Sequence, residues 1–321
     1  PLLLTVPQLE QLMATAALFG VHPSHAFTSV ETSPEYADRP RLNVLKKAGV
    51  SRVSIGIQSF QDEELKAIKR RPRQNTIYQA LDDIRQMDFP YFNIDLIYGI
   101  KGQTVESFLY SLEEALRFQP NELFIYPLYV RQGTGITERE PDDVCFRMYR
   151  AACKLLQAKG FLQTSMRRFI HHPSTDAEVS CGDEVMLSCG SGGRSYLGDL
   201  HYATRYTVCQ QCIAREIDEY MATTDFTVAR NGFILSAKEQ QQRFIIKNLM
   251  YYMGIDKAEY TRRFGEPLDR TPLFRQLAEQ YWIEETPERI RLTPEGLGYS
   301  DYIGQLFITP EIRQLMETYS Y

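Results

Sequence analysis

A chain of 321 residues, of which 43% are hydrophobic and 24% are charged, has the composition of a globular protein, which excludes disordered and fibrous classes. The net charge of -5 gives no long-range attraction to phosphate backbones, so nucleic-acid binding is not expected. The longest apolar run, Ala14 to Val21, is far shorter than the roughly 20 residues of a membrane span, and we expect a cytoplasmic protein without membrane contact.

From residue 27 onward, short apolar runs alternate with amphipathic segments, which is typical of repeated βα units around a parallel sheet. Five strands are predicted, at Phe27 to Glu31, Arg52 to Ile57, Tyr91 to Ile97, Glu122 to Leu128 and Gln163 to Phe169. The predicted helices are Arg41 to Lys47, Asp62 to Arg70, Asn75 to Met87, Val105 to Leu116 with Thr104 as its cap, and Asp142 to Lys159. This pattern predicts an α/β fold.

The pattern changes in the second part of the chain. Residues 183–195 are rich in glycine and are predicted to form an irregular loop with a tight turn. Beyond Ser236 the predicted elements are helices at Ala237 to Met253, Lys257 to Phe264 and Pro272 to Tyr281, and a hairpin of Trp282 to Glu284 with Arg289 to Leu292. We therefore predict two domains, a βα domain over residues 1–224 and a mainly helical, winged-helix-like module over residues 225–321.

The cysteines do not suggest a disulfide framework. Cys145 shares a predicted helical face with Met148 and Ala152, where a free thiol behaves as a small hydrophobic side chain. Reduced thiols also agree with a cytoplasmic location. Cys209 and Cys212 form a Cys-x2-Cys pair, but two sulfurs alone are weak evidence for a metal site.

Polar side chains near the ends of the predicted strands are candidate ligand-binding residues. Glu31 closes the first strand, Gln58 follows the second, Asp95 interrupts the apolar third strand, and Arg70 ends the helix after Gln58. Ligands of parallel α/β barrels gather at the carboxyl ends of the strands. A carboxylate for an amine, an arginine for a carboxylate and an aspartate for a ribose diol would suit an amino-acid nucleoside. The structural alternative is that Asp95 accepts backbone hydrogen bonds and Arg70 is a solvated cation at a helix end.

Two motifs make these candidates specific. Ser54 to Phe60 reads S-I-G-I-Q-S-F, with Arg70 twelve residues after Gln58. Asn93 to Gly99 reads N-I-D-L-I-Y-G and is followed by G-Q-T at residues 102–104. Both motifs resemble the oxygen-independent coproporphyrinogen III oxidase branch of the radical S-adenosylmethionine (SAM) enzymes, or an uncharacterised subgroup of that family. Further segments that resemble the family are Ser29 to Thr32 and Pro1 to Thr5.

The resemblance implies a partial (β/α)6-type radical SAM barrel with a C-terminal substrate-capping module. It implies that Glu31 and Arg70 lie near the methionine end of SAM, Asp95 near the ribose and Gln58 in the same pocket, with Tyr129 as a looser match at the end of strand four. Family members also hold a [4Fe-4S] cluster through a Cys-x3-Cys-x2-Cys motif. The sequence has no such motif, and either truncation or loss of the motif would explain its absence. We expect the ligand cysteines and the first barrel strand upstream of residue 1, and no metal ligand within the chain.

The implied activity is oxidoreduction through a 5′-deoxyadenosyl radical, as in the oxidative decarboxylation of porphyrinogen propionates during haem biosynthesis. The expected partners are a small-molecule substrate, such as a porphyrinogen, and a reductant such as flavodoxin or ferredoxin. The substrate stays open because Tyr126 to Arg131 and Gly193 to Leu197 depart from the oxidase pattern. Candidate propionate ligands, if they are not simply solvated, are Arg131, Arg167, Arg168 and Arg194.

The competing hypothesis is a haem or tetrapyrrole carrier that uses the same barrel without oxidase activity. Such a carrier needs an axial ligand to the haem iron, and histidine is a common one. A single histidine is nevertheless more often structural than a ligand. The candidates are His22, His25, His171, His172 and His201.

Overall fold

Alternating buried residues build a mostly parallel sheet in the first part of the protein. In the computed structural model, the parallel neighbours in chain order are β1 (Ser29–Thr32), β2 (Arg52–Gln58), β3 (Tyr91–Tyr98) and β4 (Glu122–Pro127). Val53, Ile55 and Ile94 are fully buried in one hydrophobic cluster, because side chains two residues apart in a strand share a face. The structure describes residues 1–70, 73–131, 133–171, 185–205, 207, 209–268 and 272–318.

Amphipathic helices connect these strands and share their core. The helices described in this part of the chain are α1 (Val6–Leu18), α2 (Arg39–Ala48), α3 (Asp62–Ala67), α4 (Gln74–Met87), α5 (Val105–Leu116) and α6 (Asp142–Ala158). In α4, the residues Ile77, Leu81 and Ile84 are buried at helical spacing. The hydroxyl of Thr104 accepts the backbone N–H of Ser107 at 3.1 Å, so Thr104 caps α5 as predicted.

The segment predicted as a fifth parallel strand, Gln163 to Phe169, is part of an antiparallel hairpin, and that prediction was wrong. β5 (Leu162–Gln163) pairs with β6 (Arg168–Ile170), and β6 runs antiparallel to β4. The sheet order is therefore β1-β2-β3-β4-β6-β5. A turn interrupts the predicted strand, because Ser165 Oγ accepts the backbone N–H groups of Arg167 at 3.3 Å and Arg168 at 3.1 Å.

A second sheet flanks the predicted glycine-rich loop, whose residues 187–193 stay irregular. Its antiparallel strands are β7 (Val185–Met186), β8 (Arg194–Leu197), β9 (Leu200–Ala203) and β10 (Gly232–Ile234), in the order β10-β9-β8-β7. Gly190 and Gly192 have φ angles of 98° and 88°, so the predicted tight turn lies between β7 and β8. The loop prediction was wrong at its flanks because these strands are too short for an apolar alternation to be recognised.

The C-terminal module is helical with a small antiparallel wing, as predicted. The wing has the strand order β11-β13-β12, with β11 (Ile255–Asp256), β12 (Ile283–Glu285) and β13 (Arg289–Leu292). Ile255, Ile290 and Leu249 are buried in one hydrophobic cluster there. The helices described in this part are α7 (Gln210–Ala222), α8 (Ala237–Leu249), α9 (Lys257–Phe264), α10 (Pro272–Glu279), α11 (Pro294–Gly298), α12 (Ser300–Leu306) and α13 (Pro310–Thr318).

The chain divides into two compact units. Unit 1 consists of Pro1–Val130 and Ile136–Ala177, and unit 2 of Arg131–Gly135 and Glu178–Tyr321. The predicted domain boundary between residues 224 and 225 stays a prediction. The compact units divide earlier in the chain, because the strands β7 to β10 pair with one another and belong to unit 2.

The structure also bears on the predictions about the cysteines and about membrane-spanning segments. Cys145 is buried, with 6% of its surface exposed, as predicted for a core residue. The described cysteines are free thiols, and Cys181 lies outside the described residues. Among the helices that the structure describes, none has the length and apolar composition needed to cross a membrane.

Candidate functional site

Polar residues lie on the face of the parallel sheet that is opposite to the hydrophobic cluster. Glu31 of β1 is in register with Ser54 of β2, and Gly56 of β2 is in register with Asp95 of β3. Each of these positions is adjacent to a buried apolar residue in its strand, so its side chain points to the opposite face. The ends of three neighbouring strands therefore carry two carboxylates close to a glycine.

A cavity of about 310 Å³ lies at these strand ends. Small-molecule pockets in proteins have volumes of roughly 300–1,000 Å³, so a small ligand fits this space. Glu31, Gln58, Arg70 and Asp95 come from separate segments of the chain and all line the cavity. The remaining lining residues are Pro1, Leu2, Leu3, Thr32, Ser33, Tyr36 and Gly56.

Gln58 reaches the cavity through an irregularity of β2. The register of β2 against β3 shifts between Gly56 and Gln58, and Gln58 has a φ of 73°, in the left-handed region. A Cβ at position 56 would lie 2.5 Å from Gln58 Nε2. The glycine therefore leaves the space that the Gln58 amide occupies.

Arg70 is placed by the way in which α3 ends. The prediction extended this helix to Arg70, but α3 ends at Ala67. The backbone N–H of Lys69 donates to Lys66 O at 3.0 Å, and that of Arg70 donates to Leu65 O at 2.8 Å. This bonding pattern, with Lys69 at a φ of 58°, is a Schellman termination, which reverses the chain direction after the helix. The reversal brings Arg70 to the cavity instead of leaving it on the helix surface.

Asp95 is held by polar neighbours but keeps spare capacity as an acceptor. Asn93 Nδ2 donates to Asp95 Oδ1 at 2.7 Å, whereas Ser54 Oγ lies 3.5 Å from Oδ2, at the limit of a hydrogen bond. Burial raises the pKa of Asp95 to about 6; the nearby carboxylate of Glu31 also raises it, and Asn93, Arg52 and Ser54 oppose the shift. A ligand that donates to Oδ2 would therefore stabilise the ionised form.

Sequence reasoning missed three polar residues on the same face. Asn93 Nδ2 donates to Ser54 Oγ at 2.7 Å, in addition to its bond with Asp95, and so links β2 to β3. Burial raises the pKa of Tyr126 on β4, with help from the carboxylates of Asp95 and Glu31, so the phenol stays protonated. The signal for Ser54, Asn93 and Tyr126 was their alternation with apolar residues in the predicted strands.

A buried carboxylate, Glu64, connects segments that follow β2 and β3. Glu64 is 6% exposed and accepts hydrogen bonds from Ser59 Oγ at 2.6 Å, Ser107 Oγ at 2.6 Å and Gln103 Nε2 at 2.8 Å. Charge-assisted hydrogen bonds of this kind are stronger than neutral ones. Nothing in the sequence distinguishes Glu64 from its exposed neighbours Asp62 and Glu63, so its role is visible only in the folded protein.

Comparisons with known proteins agree with this geometry. Residues 3–115 match the radical SAM superfamily, and residues 235–298 match the HemN C-terminal domain. The chain is a HemN-like radical SAM protein. Its structure is similar to that of coproporphyrinogen III oxidase (HemN) from Escherichia coli, with a TM-score of 0.78 and 21% identity over 95% of this chain and 75% of that one. This likeness shows that the two proteins share a fold.

Curated relatives of the HemN-like protein have two different names. The heme chaperone HemW of Bacillus subtilis is 26% identical over 295 residues, which cover 87% of this chain and 76% of the relative. The oxygen-independent coproporphyrinogen III oxidase of Thermostichus vulcanus is 25% identical over 291 residues, which cover 84% of this chain and 89% of the relative. Proteins named as a chaperone and as an oxidase are thus similar to this chain at nearly equal identity.

The structure of the HemN-like protein brings together four of the five predicted SAM-site residues. Tyr129 does not line the cavity, and its hydroxyl accepts a hydrogen bond from Arg167 Nη2 at 2.5 Å. The assignment of all five residues to SAM binding stays a prediction. Of the predicted propionate ligands, Arg168 forms an ion pair with the buried carboxylate of Glu122, which also pairs with Arg52 Nε at 3.1 Å.

The potential metal ligands of the chain are its histidine, cysteine and acidic side chains. Within the described ranges, no group of three or more His, Cys, Asp or Glu side chains could hold a metal ion. Of the candidate haem ligands, His22 and His25 are exposed, with ring centroids 5.3 Å apart, and His171 packs on a phenylalanine. His201 is half-buried, and His172 lies outside the described residues.

Proposed function

We propose that this chain binds SAM in the cavity at the carboxyl ends of β1, β2 and β3, as part of a radical SAM oxidoreductase of the oxygen-independent coproporphyrinogen III oxidase type. The observation that supports the proposal is the joint placement of Glu31, Gln58, Arg70 and Asp95 around one cavity. These four residues belong to three segments of the sequence, because Gln58 and Arg70 share one motif. The proposal includes a porphyrinogen-like substrate, a flavodoxin- or ferredoxin-type reductant and a cytoplasmic location, which stay predictions from the sequence.

The residues of the cavity fit SAM by their chemistry. SAM carries an ammonium group, a carboxylate and a ribose diol, and the cavity offers acidic side chains and an arginine. Asp95 Oδ2 has acceptor capacity for a ribose hydroxyl, and Arg70 and Glu31 have the charges that the carboxylate and the ammonium group need. The side chains of Leu2 and Leu3 supply apolar surface in the same cavity.

The chemistry that SAM and a [4Fe-4S] cluster supply in this family is hydrogen-atom abstraction by a 5′-deoxyadenosyl radical. The described residues do not include a set of ligands for such a cluster, and no cysteine of this chain is assigned to it. The proposed contribution of this chain is therefore to bind and orient SAM. Asp95 fixes the ribose, and the Glu31 carboxylate and Arg70 guanidinium fix the amino-acid end.

Isothermal titration with SAM tests the binding step. Asp95→Asn keeps the size of the side chain but removes the charge, and we expect it to weaken SAM binding by roughly 10- to 100-fold, because a hydrogen bond to a charged group contributes about 1.5–3 kcal/mol. Asp82→Asn is the matched control, because Asp82 is 44% exposed on α4 and does not line the cavity. Equal affinity of Asp95→Asn and the unmodified protein would contradict the SAM site.

A second experiment tests the oxidoreductase step separately. The complete gene product is reconstituted anaerobically with iron and sulfide and reduced with dithionite, and 5′-deoxyadenosine is measured by chromatography. The proposal requires deoxyadenosine that falls sharply in Asp95→Asn and not in Asp82→Asn. SAM binding without any deoxyadenosine would leave the binding site intact and reject the oxidoreductase.

A haem carrier is the second candidate function, favoured by the heme chaperone relatives and by one histidine. Nε2 of His201 is buried and has no hydrogen-bond partner among the described residues. Burial lowers the pKa of His201, and Arg243 and Arg194 add to the effect, so its ring is neutral, as an iron ligand must be. Haem titration followed by the Soret band tests this function. A carrier would lose the band in His201→Ala, keep it in the exposed control His22→Ala and produce no deoxyadenosine.

A further inference from the structure

Two cysteines that the proposed SAM chemistry does not use lie together at the start of α7. Cys209 is the N-cap residue of this helix, and its carbonyl accepts the backbone N–H of Ile213 at 2.8 Å. Cys212 is the third residue of the first helical turn. Both side chains are half-exposed and both are free thiols, so both are accessible to a reagent from solvent.

The start of the helix activates Cys209. The backbone N–H of Cys212 and the Cys212 thiol lower the pKa of the Cys209 thiol, with smaller contributions from the backbone N–H of Gln211 and from Arg215. Unpaired N–H groups and the positive end of the helix dipole stabilise a thiolate at this position. Cys153, which is half-buried against the core of unit 1, behaves in the opposite way, because burial raises the pKa of its thiol to about 11.

The spacing of the two cysteines also suits a disulfide. Residues three apart in a helical turn have Cβ atoms about 5–6 Å apart, and a disulfide needs Cβ atoms about 3.5–4.5 Å apart. A small rotation at the N-cap, whose backbone is extended with φ -74° and ψ 126°, can close this gap. Metal binding is the weaker reading, because the described residues contain no cluster of three potential metal ligands.

We propose that Cys209 and Cys212 form a redox-active dithiol that exchanges with low-molecular-weight disulfides of the glutathione class. This inference does not depend on the SAM site, which lies in unit 1, whereas α7 belongs to unit 2. The probe that represents this class of co-reactant is glutathione disulfide.

The exchange has two steps. The Cys209 thiolate attacks one sulfur of glutathione disulfide, the S–S bond breaks, one glutathione thiolate leaves, and a mixed disulfide forms at Cys209. Cys212 then loses its proton to water and attacks Cys209 Sγ. The second glutathione thiolate leaves as the Cys209–Cys212 disulfide forms. Two protein thiols are oxidised by two electrons in total, and one glutathione disulfide is reduced to two glutathione thiols.

The sequence provides a direct assay for this exchange. Trypsin cleaves after Arg205 and Arg215 and releases residues 206–215, whose cysteines are Cys209 and Cys212 alone. The full chain is equilibrated with glutathione buffers of increasing disulfide content and alkylated, and this peptide is analysed by mass spectrometry. We expect the two thiols to disappear together in one two-electron transition, without an accumulated glutathione adduct.

Variants separate the two steps. In Cys212→Ser the mixed disulfide cannot be resolved, so we expect a stable glutathione adduct at Cys209. In Cys209→Ser we expect no adduct on the same timescale. Cys189→Ser is the control, because Cys189 is exposed and lies outside α7, and it leaves the transition unchanged.

Reactivity provides an independent measurement in the unmodified chain. The pKa of Cys209 is lowered from its usual value and that of Cys153 is raised to about 11. At neutral pH, Cys209 has a larger thiolate fraction than Cys153, and this gain exceeds the loss of nucleophilicity that accompanies a lower pKa. Cys209 should therefore react with iodoacetamide about tenfold faster than Cys153, or more. Tryptic residues 151–154 report on Cys153. Equal alkylation rates, absence of the trapped adduct in Cys212→Ser, or stoichiometric zinc on the reduced pair would each overturn the proposal.

Discussion

The parallel sheet of unit 1 and the four-stranded sheet of unit 2 use their polar side chains in different ways. In unit 1, Asp95 is enclosed but only partly hydrogen-bonded, so its charge is available to a ligand. In unit 2, Tyr196 and His201 stack with ring centroids 4.2 Å apart, and the Arg243 guanidinium lies 4.2 Å from the Tyr196 ring centroid. The first sheet therefore carries a charge that is open to a ligand, whereas the second sheet packs its rings and a cation on one another. Four substitutions or conditions test this difference.

The largest effect is expected at Glu64. Glu64→Ala removes the buried charged acceptor that Ser59, Ser107 and Gln103 share, so we expect the free energy of unfolding to fall by about 3 kcal/mol or more. Urea unfolding followed by circular dichroism measures the change. Glu63→Ala is the control, because the Glu63 side chain is 86% exposed, and it should change stability by less than about 0.5 kcal/mol. Equal stability of the two variants would mean that the buried network does not support the parallel sheet.

A smaller effect is expected in the sheet of unit 2. A Cβ at Gly232 would lie 2.4 Å from His201 O and 2.8 Å from Tyr202 Cα, which are backbone atoms that cannot move independently. Gly232→Ala should therefore destabilise this sheet by about 1–3 kcal/mol, measured as faster hydrogen exchange in β8 and β9. Gly304→Ala in α12 is the control, because its Cβ would meet nothing within 4 Å. Unchanged exchange in Gly232→Ala would contradict the pairing of β10 with β9.

The pH dependence of SAM binding tests the role of charge in unit 1. Asp95 has a pKa of about 6 in the free protein, raised from its usual value, so the carboxyl is protonated below that pH and ionised above it. Because the ionised form accepts hydrogen bonds from a ribose, affinity should be full above about pH 7 and fall by up to about tenfold per pH unit below pH 6. Titrations across this range should show the dependence in the unmodified protein and a flat profile in Asp95→Asn. A flat profile in both proteins would remove Asp95 from the binding site.

The smallest effect is expected for the stacked cation of unit 2. Arg243→Ala removes the cation over Tyr196 and should lower stability by about 0.5–1 kcal/mol. The fluorescence of Trp282, the one tryptophan of the chain and a residue of unit 2, follows urea unfolding of that unit. Arg243→Lys keeps the charge but loses the planar group, so its stability should lie between that of Arg243→Ala and that of the unmodified protein. An alanine variant as stable as the unmodified protein would show that stacking does not support this sheet.

The parts of the fold that could be predicted are those with long, regular patterns. The apolar alternation in β2 and β3 and the helical spacing in α4 are strong because each element buries one complete face. The hairpin of β5 and β6 and the sheet of β7 to β10 could not be predicted in this way. Their strands have two to four residues, and the turn at Ser165 depends on side-chain hydrogen bonds to the backbone.

The sequence by itself determined four of the residues that line the cavity, because Glu31, Gln58, Arg70 and Asp95 stand in or beside recognisable motifs of the parallel strands. Only the tertiary structure decided how they meet. The Schellman termination of α3 turns Arg70 to the cavity, the shifted register at Gly56 turns Gln58, and Tyr129 is left outside. The physical reason is that motif and periodicity are local properties of the chain. The enclosure of Asp95 and the three donors around Glu64 arise from segments that come together only when the chain folds.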